Sequence, residues 1–105
     1  MMKPELFDIV ELLSNLPEYQ LSIGDRGAIV ECLDATHFEV EFSDEQGEMK
    51  ALCPLDIQQF IVVWQAKTKQ WLTTTDKVSL LLERLPEEKQ TELLNFARSL
   101  YQQAR

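Results

Sequence analysis

The chain has 105 residues, the length of one domain, and its 45% hydrophobic and 27% charged residues are an ordinary globular balance. No run approaches the ~18 consecutive apolar residues that a membrane span needs. The first residues, Met-Met-Lys-Pro-Glu, contain no apolar signal core. We therefore expect a cytoplasmic protein with no membrane segment and no secretion signal.

The formal net charge of −8 is unevenly distributed along the chain. Residues 1–65 carry 13 acidic and 3 basic side chains, a net of −10, and residues 66–105 carry 5 acidic and 7 basic ones, a net of +2. Affinity for nucleic acids depends on Lys and Arg that neutralise phosphates, so this distribution argues against nucleic-acid binding. An acidic surface instead attracts a basic protein. The alternative is that the acidity only maintains solubility.

The first part of the chain predicts short β-strands joined by polar turns. Residues 6–13 predict a first strand, with a short helix as the alternative, and residues 14–20 predict a loop. Gly24 marks a turn, and Gly27 permits a bulge or a close backbone approach where the second strand starts.

The clearest hairpin signal comes next. Residues 27–33 and 37–42 predict the second and third strands, joined by a three-residue turn. Alternation places the apolar side chains of the third strand on one face, where we expect them to pack against Ala28, Val30 and Cys32. These apolar residues are Phe38, Val40 and Phe42.

Two further strands complete the predicted β unit. Residues 49–53 predict a fourth strand, residues 54–59 a single helical turn, and residues 60–64 a fifth strand. The fold class is mainly β with α: a five-stranded SH3-like barrel over residues 1–65, since closure removes exposed sheet edges. An open five-stranded sheet covered by the C-terminal helices is the alternative.

The remaining chain predicts a linker over residues 66–74 and a helical hairpin over residues 75–105. Thr75 is the expected N-cap of a first helix that ends at Arg84. Pro86 cannot continue that helix but suits the first turn of the next one.

We find no motif for catalysis, metal binding or a cofactor. There is no glycine-rich phosphate loop, nucleophile elbow or cysteine pair at zinc spacing. His37 is the one histidine, and we expect it to be an exposed side chain at the edge of a turn. Cys32 and Cys53 lie in apolar runs, so we expect reduced core thiols. We predict that the protein is not an enzyme and has no catalytic residues, metal or cofactor.

Aromatic and acidic side chains are the candidates for partner binding. Trp64 and Trp71 flank the linker and either join the hairpin to the barrel or anchor a partner. The second helix has apolar residues on more than one face, so part of it is available to a second copy or another protein. Alternation places two glutamates together, most simply on a solvated face. The candidate partner-binding residues are Trp64, Trp71, Phe96, Tyr101, Glu39 and Glu41.

Four short motifs follow one another in residues 6–60. They are Asp8-Ile9-Val10, Leu16-Pro17-Glu18, Gly24-Asp25-Arg26-Gly27 and Phe38-Glu39-Val40-Glu41-Phe42, the last followed by an acidic turn that contains Gly47. In this order of features the stretch resembles a family of small bacterial proteins of unknown function, frequent in cyanobacteria. The resemblance implies an SH3-like barrel and the role of the small partner in a toxin–antitoxin pair.

Residues 78–103 contain leucines, then Leu-Pro-Glu-Glu, then a helix with Phe-Ala. This segment resembles the helical segment of another antitoxin-like group, although the basic DNA-binding N-terminal module of many antitoxins is not visible. We interpret the protein as a non-enzymatic antitoxin-like inhibitor that masks another protein, such as a basic toxin or nuclease. The alternatives are a structural or assembly subunit, a homodimeric adaptor joined through the C-terminal helices, and an SH3-like peptide- or RNA-binding module.

Overall fold

The computed structural model describes residues 3–105, which form two compact units. The first unit ends at Leu72 and is built on a β-sheet, and the second, Thr73–Arg105, consists of two helices. The fold is therefore mainly β with two C-terminal helices. Residues 1–72 contain 13 acidic and 5 basic side chains and the rest contain 5 of each, so the first unit carries the whole net charge of −8.

Antiparallel strands form one sheet in the first unit. They are β1 (Ile9–Leu12), β2 (Arg26–Cys32), β3 (His37–Ser43), β4 (Met49–Asp56), β5 (Phe60–Gln65) and β6 (Gln70–Trp71). Their order across the sheet is β4-β3-β2-β1-β5-β6. Single 3₁₀ turns, Pro17–Tyr19 and Ile57–Gln59, precede β2 and β5. The second of these lies within residues 54–59, where the sequence predicts a helical turn, whereas residues 54–56 instead continue β4.

The five-stranded barrel is not confirmed, because the sheet has six strands and, within residues 3–105, no ladder joins β4 to β6. The sixth strand lies inside the predicted linker, residues 66–74. Lys69 has a φ of 57°, and its N–H donates to the Gln65 carbonyl at 2.7 Å, so the chain turns back onto β5. A strand of two residues shows no period in the sequence, which is why the pattern did not predict it.

The hydrophobic core lies on one face of this sheet. The strand residues of the core cluster are Val10, Leu12, Ile29, Phe38, Val40, Phe42, Ala51, Cys53, Leu55, Phe60 and Val62. The Phe38 and Phe60 rings meet edge to face with their centroids 5.8 Å apart, a favourable aromatic geometry. The inward orientation predicted for the apolar residues of β3 is confirmed.

The core-facing residues predicted for β2 are partly wrong. Ile29 is fully buried, whereas Val30 is half-buried and Cys32 is exposed. The register shifts after Ile29, so that Ile29 pairs with Val40 while Cys32 pairs with Phe38. Such a bulge inserts one extra residue and switches the alternation between faces, so Val30 does not share a face with Cys32. Cys32 lies opposite the core residue Phe38 but is exposed at the end of β2. Because Ala28, Ile29 and Val30 are all apolar, the sequence does not indicate which of them is buried.

Gly27 of β2 lies close to Glu41 and Phe42 of β3. A Cβ at this position would meet the Glu41 carbonyl oxygen and the Phe42 ring, each at 2.8 Å. Real Cβ atoms do not approach other atoms this closely, so the position requires glycine. The close backbone approach predicted from the sequence is confirmed.

Asp8 ties the start of the chain to the β5–β6 turn. Its side chain is buried, and its two carboxylate oxygens accept the N–H of Glu5 at 2.9 Å and the N–H of Ala66 at 2.8 Å. The second bond spans 58 residues of sequence. Asp8, the aspartate of the first sequence motif, therefore joins the segment before β1 to the β5–β6 turn.

The second unit contains α1 (Thr74–Arg84) and α2 (Glu87–Ala104). The predicted N-cap, Thr75, is wrong: the Thr73 hydroxyl accepts the N–H of Asp76 at 3.1 Å, and the Asp76 carboxylate accepts the N–H of Thr73 at 3.2 Å. This is a capping box. Pro86 immediately precedes α2, consistent with its predicted place at the start of that helix.

Neither helix buries a side chain. The Gln90 amide group of α2 donates to the carbonyls of Leu82 and Leu85 at 2.8 and 3.2 Å, which satisfies groups at the end of α1. Across residues 3–105, no helix combines the length and apolarity that crossing a membrane requires.

Candidate protein-binding face

One row of side chains crosses the sheet on the face opposite the core. Directly opposed residues of antiparallel strands point to the same face. From β6 to β4 the opposed residues are Trp71, Trp64, Ile9, Ala28, Glu41 and Leu52. We call this set the outer row. Its ends are the most open, with Trp71 52% and Leu52 46% exposed, and the residues between them are half-buried.

Two tryptophans and an ion pair cluster at one end of the outer row. The ring centroids of Trp64 and Trp71 are 6.2 Å apart. The guanidinium carbon of Arg26 lies 5.1 Å from the Trp71 centroid, which is a cation–π geometry. The Nε of Arg26 is 3.8 Å from a carboxylate oxygen of Glu11. We call Trp64, Trp71, Arg26 and Glu11 the tryptophan cluster.

The β5–β6 hairpin places Trp71 opposite Trp64. The N–H of Leu72 donates to the Val63 carbonyl at 2.8 Å immediately beyond the pair. The Asp8 carboxylate holds the turn of the same hairpin through the N–H of Ala66. The cluster is thus positioned by backbone hydrogen bonds and by one buried carboxylate.

The two predicted glutamates of β3 also lie on the outer face, and both are half-buried. Glu41 belongs to the outer row, opposite Ala28. Glu39 is directly opposite Glu31 of β2. Like charges in directly opposed positions destabilise a sheet, and a cation placed between them relieves the repulsion.

Four of the six predicted partner-binding residues therefore lie on the outer face of the sheet, and two of them, Trp64 and Trp71, are in contact. Phe96 and Tyr101 belong to α2 in the second unit, where they are 61% and 72% exposed. Sequence reasoning did not include Arg26 or Glu11. The sequence feature that points to Arg26 is its rarity, since it is one of only 3 basic residues among the first 65.

His37 is exposed at the start of β3, as predicted, and belongs to a turn. Its Nδ1 lies 3.0 Å from Asp34, and its Nε2 lies 3.5 Å from Asp56. The N–H of Thr36 and the His37 side chain both bond to Asp34, and these contacts lower the pKa of Asp34 to about 2. The arrangement stabilises the β2–β3 turn. In the described part of the chain, no His, Cys, Asp and Glu side chains are grouped to hold a metal ion.

The two cysteines occupy different environments, which corrects the prediction of two core thiols. Cys32 is exposed and Cys53 is buried, and both are free. Burial raises the pKa of the Cys53 thiol, and the carboxylates of Glu39 and Glu18 raise it further. A buried protonated thiol is a poor nucleophile.

An open depression of about 340 Å³ lies beside the turn that precedes β2. Its lining includes Asp25, Arg26, Asp44 and Lys50, so charges of both signs face it. Throughout residues 3–105, every buried side-chain nitrogen and oxygen has a hydrogen-bond partner.

A protein-family model described as Domain of unknown function (DUF4926) matches residues 6–62. The chain belongs to the DUF4926 family. The predicted membership of a family of unknown function is thereby confirmed at this level. The match contains Asp8 and Gly27 and ends before Trp64, so both tryptophans lie outside it. The comparisons with curated proteins and with solved structures gave no match.

Proposed function

We propose that the protein is a non-enzymatic protein-binding module, an antitoxin-like inhibitor that masks a basic partner protein. The observation that carries the proposal is a tryptophan pair, one exposed and one half-buried, on an acidic sheet. Trp71 is 52% exposed beside Trp64, and the unit that contains them has the whole net charge of −8.

Covering Trp71 would contribute substantially to binding. A tryptophan side chain has about 250 Å² of surface, so covering its exposed half removes about 130 Å² from water. At ~25 cal/mol per Å² this contributes ~3 kcal/mol. Binding energy is commonly concentrated in such aromatic anchors, with tryptophan and arginine over-represented among them.

The charges of the outer face favour a basic partner. Glu39 and Glu41 follow one another on this face, and Glu39 opposes Glu31 across the strands. A partner with lysines or arginines would relieve this repulsion and would be steered to the acidic unit during encounter. The same charges disfavour a phosphate backbone.

Purification of the untagged chain from its native host tests the proposal. We expect the chain to elute in a complex with a basic protein, encoded by a neighbouring gene that is toxic when expressed alone. Recovery of free monomer or homodimer, with no toxic neighbouring gene, would contradict it.

A homodimeric adaptor or assembly subunit is the second candidate, and the helices favour it. Their exposed apolar residues are Val78, Leu81, Leu82, Leu94, Phe96, Leu100 and Tyr101. The second unit has no net charge, so charge repulsion does not oppose its self-association. Light scattering after size exclusion separates the candidates: a stable homodimer that dissociates on Phe96→Ser supports the adaptor, and a monomer supports the inhibitor.

We also propose that the sheet is related to SH3-like barrels and that the protein is cytoplasmic. The meander β2-β3-β4, with β1 between β2 and β5, supports an opened relative of SH3-like barrels. Two free cysteines, one of them exposed, support a reducing compartment such as the cytoplasm.

A further inference from the structure

We infer that the tryptophan cluster accepts an arginine side chain of the partner protein, and that Arg26 occupies this site in the free protein as a built-in competitor. The inference rests on the proposed function, since it names the chemical group by which the partner is held. General charge attraction would place a basic partner anywhere on the acidic surface, whereas this inference places one arginine side chain of the partner on the Trp71 ring.

Arg26 already demonstrates that the site holds a guanidinium group. Its central carbon lies 5.1 Å from the Trp71 ring centroid, within the range of cation–π attraction. Arginine stacks on aromatic faces better than lysine because its guanidinium is planar and weakly hydrated. Trp64 at 6.2 Å from Trp71 offers a second ring beside the same space.

The contacts of Arg26 are weak enough for displacement. Its Nε lies 3.8 Å from Glu11, beyond hydrogen-bond distance, and the Arg26 side chain is 51% exposed. The Glu11 side chain is 23% exposed, so the ion pair is partly buried on the Glu11 side. A partner arginine that stacks on Trp71 would move Arg26 into solvent and take its place beside the Glu11 carboxylate.

The surroundings supply the charge complementarity that selects a cation. The first unit has a net charge of −8, and Glu41 and Glu39 extend the acidic surface along the same face. Arg26 lowers the local attraction and occupies the ring, so its presence weakens binding of a second guanidinium. Removal of Arg26 should therefore tighten binding.

The chain carries its own reporter for this site. Its two tryptophans are both members of the cluster, so fluorescence excited selectively in tryptophan, and not in the two tyrosines, reports on the cluster alone. The probe is hexa-arginine, titrated into the full chain at physiological salt, where screening over about 8 Å suppresses diffuse attraction. Hexa-glutamine is the neutral control peptide.

Arg26→Gln is compared with Lys3→Gln, which removes the same charge from the same unit at an exposed residue that is not a member of the cluster. We expect Arg26→Gln to bind hexa-arginine about three- to fivefold more tightly than Lys3→Gln. Arg26→Lys, which keeps the charge and weakens the stacking, should give an intermediate affinity. With a dye-labelled peptide, Trp71→Ala should bind at least about fivefold more weakly than wild type.

Equal affinities of Arg26→Gln and Lys3→Gln would overturn the inference, as would an equal response to hexa-glutamine or undiminished binding by Trp71→Ala. Each of these results leaves the proposed function standing if a basic partner still co-purifies from the host. Absence of a partner, with the expected peptide affinities, would refute the proposed function alone.

Discussion

At the scale of single residues, Gly27 sets how closely β2 and β3 approach. Gly27→Ala places a Cβ 2.8 Å from the Glu41 carbonyl oxygen and the Phe42 ring, so the strands must separate. We expect the free energy of unfolding in urea to fall by about 1–3 kcal/mol.

Gly24→Ala is the matched control, because Gly24 has open space around it and a φ of 95°. Its cost should come from backbone strain alone, about 1 kcal/mol. A Gly27→Ala variant as stable as wild type would show that the strands are not held at this distance.

Asp8 gives a second prediction at this scale. Asp8→Ala removes a buried side chain whose carboxylate accepts the partly buried N–H groups of Glu5 and Ala66, so we expect a loss of about 1–3 kcal/mol. Chemical denaturation measures the loss, and hydrogen exchange should accelerate at the Ala66 amide.

Asp44→Ala controls for the removal of a turn aspartate. Asp44 accepts the N–H of Gln46 at 2.9 Å and of Glu48 at 3.0 Å, but it is exposed, and water can replace it. We expect a cost below about 1 kcal/mol. Similar losses for the two variants would mean that burial does not set the strength of the Asp8 bonds.

The Asp34 turn predicts a pH dependence. The N–H of Thr36 and the His37 side chain lower the pKa of Asp34 to about 2, from an ordinary value of 3.8. Because the folded pKa is the lower one, the stabilising contribution is complete above the ordinary value and is lost as pH falls from about 4 to about 2.

The stability difference between wild type and Asp34→Asn should therefore shrink as pH falls from about 4 through about 2. Carboxyl-carbon NMR gives the pKa directly. An Asp34 carboxyl that titrates near 4 would contradict the turn geometry.

At the scale of elements, position along the strand separates the two cysteines. Cys32, the last residue of β2, is exposed, and Cys53, inside β4, is buried with a raised pKa. We expect one thiol per chain to react rapidly with a disulfide reagent in the native state and the second to react on unfolding. Cys32→Ser should abolish the fast phase, and a fast phase that persists in this variant would contradict the assignment.

The predictability of each element follows from its local signals. β3 was predicted correctly because its apolar and acidic residues alternate without interruption. The face of β2 could not be predicted, since its apolar run fits either face and the bulge is fixed by pairing with β3. The N-cap of α1 could have been predicted from the sequence. Of the three consecutive threonines, Thr73 alone has an acidic residue three positions later, as a capping box requires.

At the scale of the whole molecule, the sequence predicted the candidate side chains but not their assembly. Trp64 and Trp71 are separated by a turn whose positive φ at Lys69 has no strong sequence signal. Arg26 joins them because β1 and β5 are neighbours in the sheet, a long-range pairing that residue periodicity does not encode. The predicted closure into a barrel is not confirmed for the same kind of reason, since closure depends on strand edges that are distant in sequence.

The tryptophan pair on the acidic sheet is the surface that we propose binds a partner protein. The most direct measurement is the dissociation constant of the co-purified basic partner for the Trp71→Ala chain, with Ile23→Ala, an equally exposed apolar residue in a loop, as the control. We predict at least about tenfold weaker binding for Trp71→Ala and no more than about a twofold change for Ile23→Ala. Equal affinities of the two variants would contradict the claim.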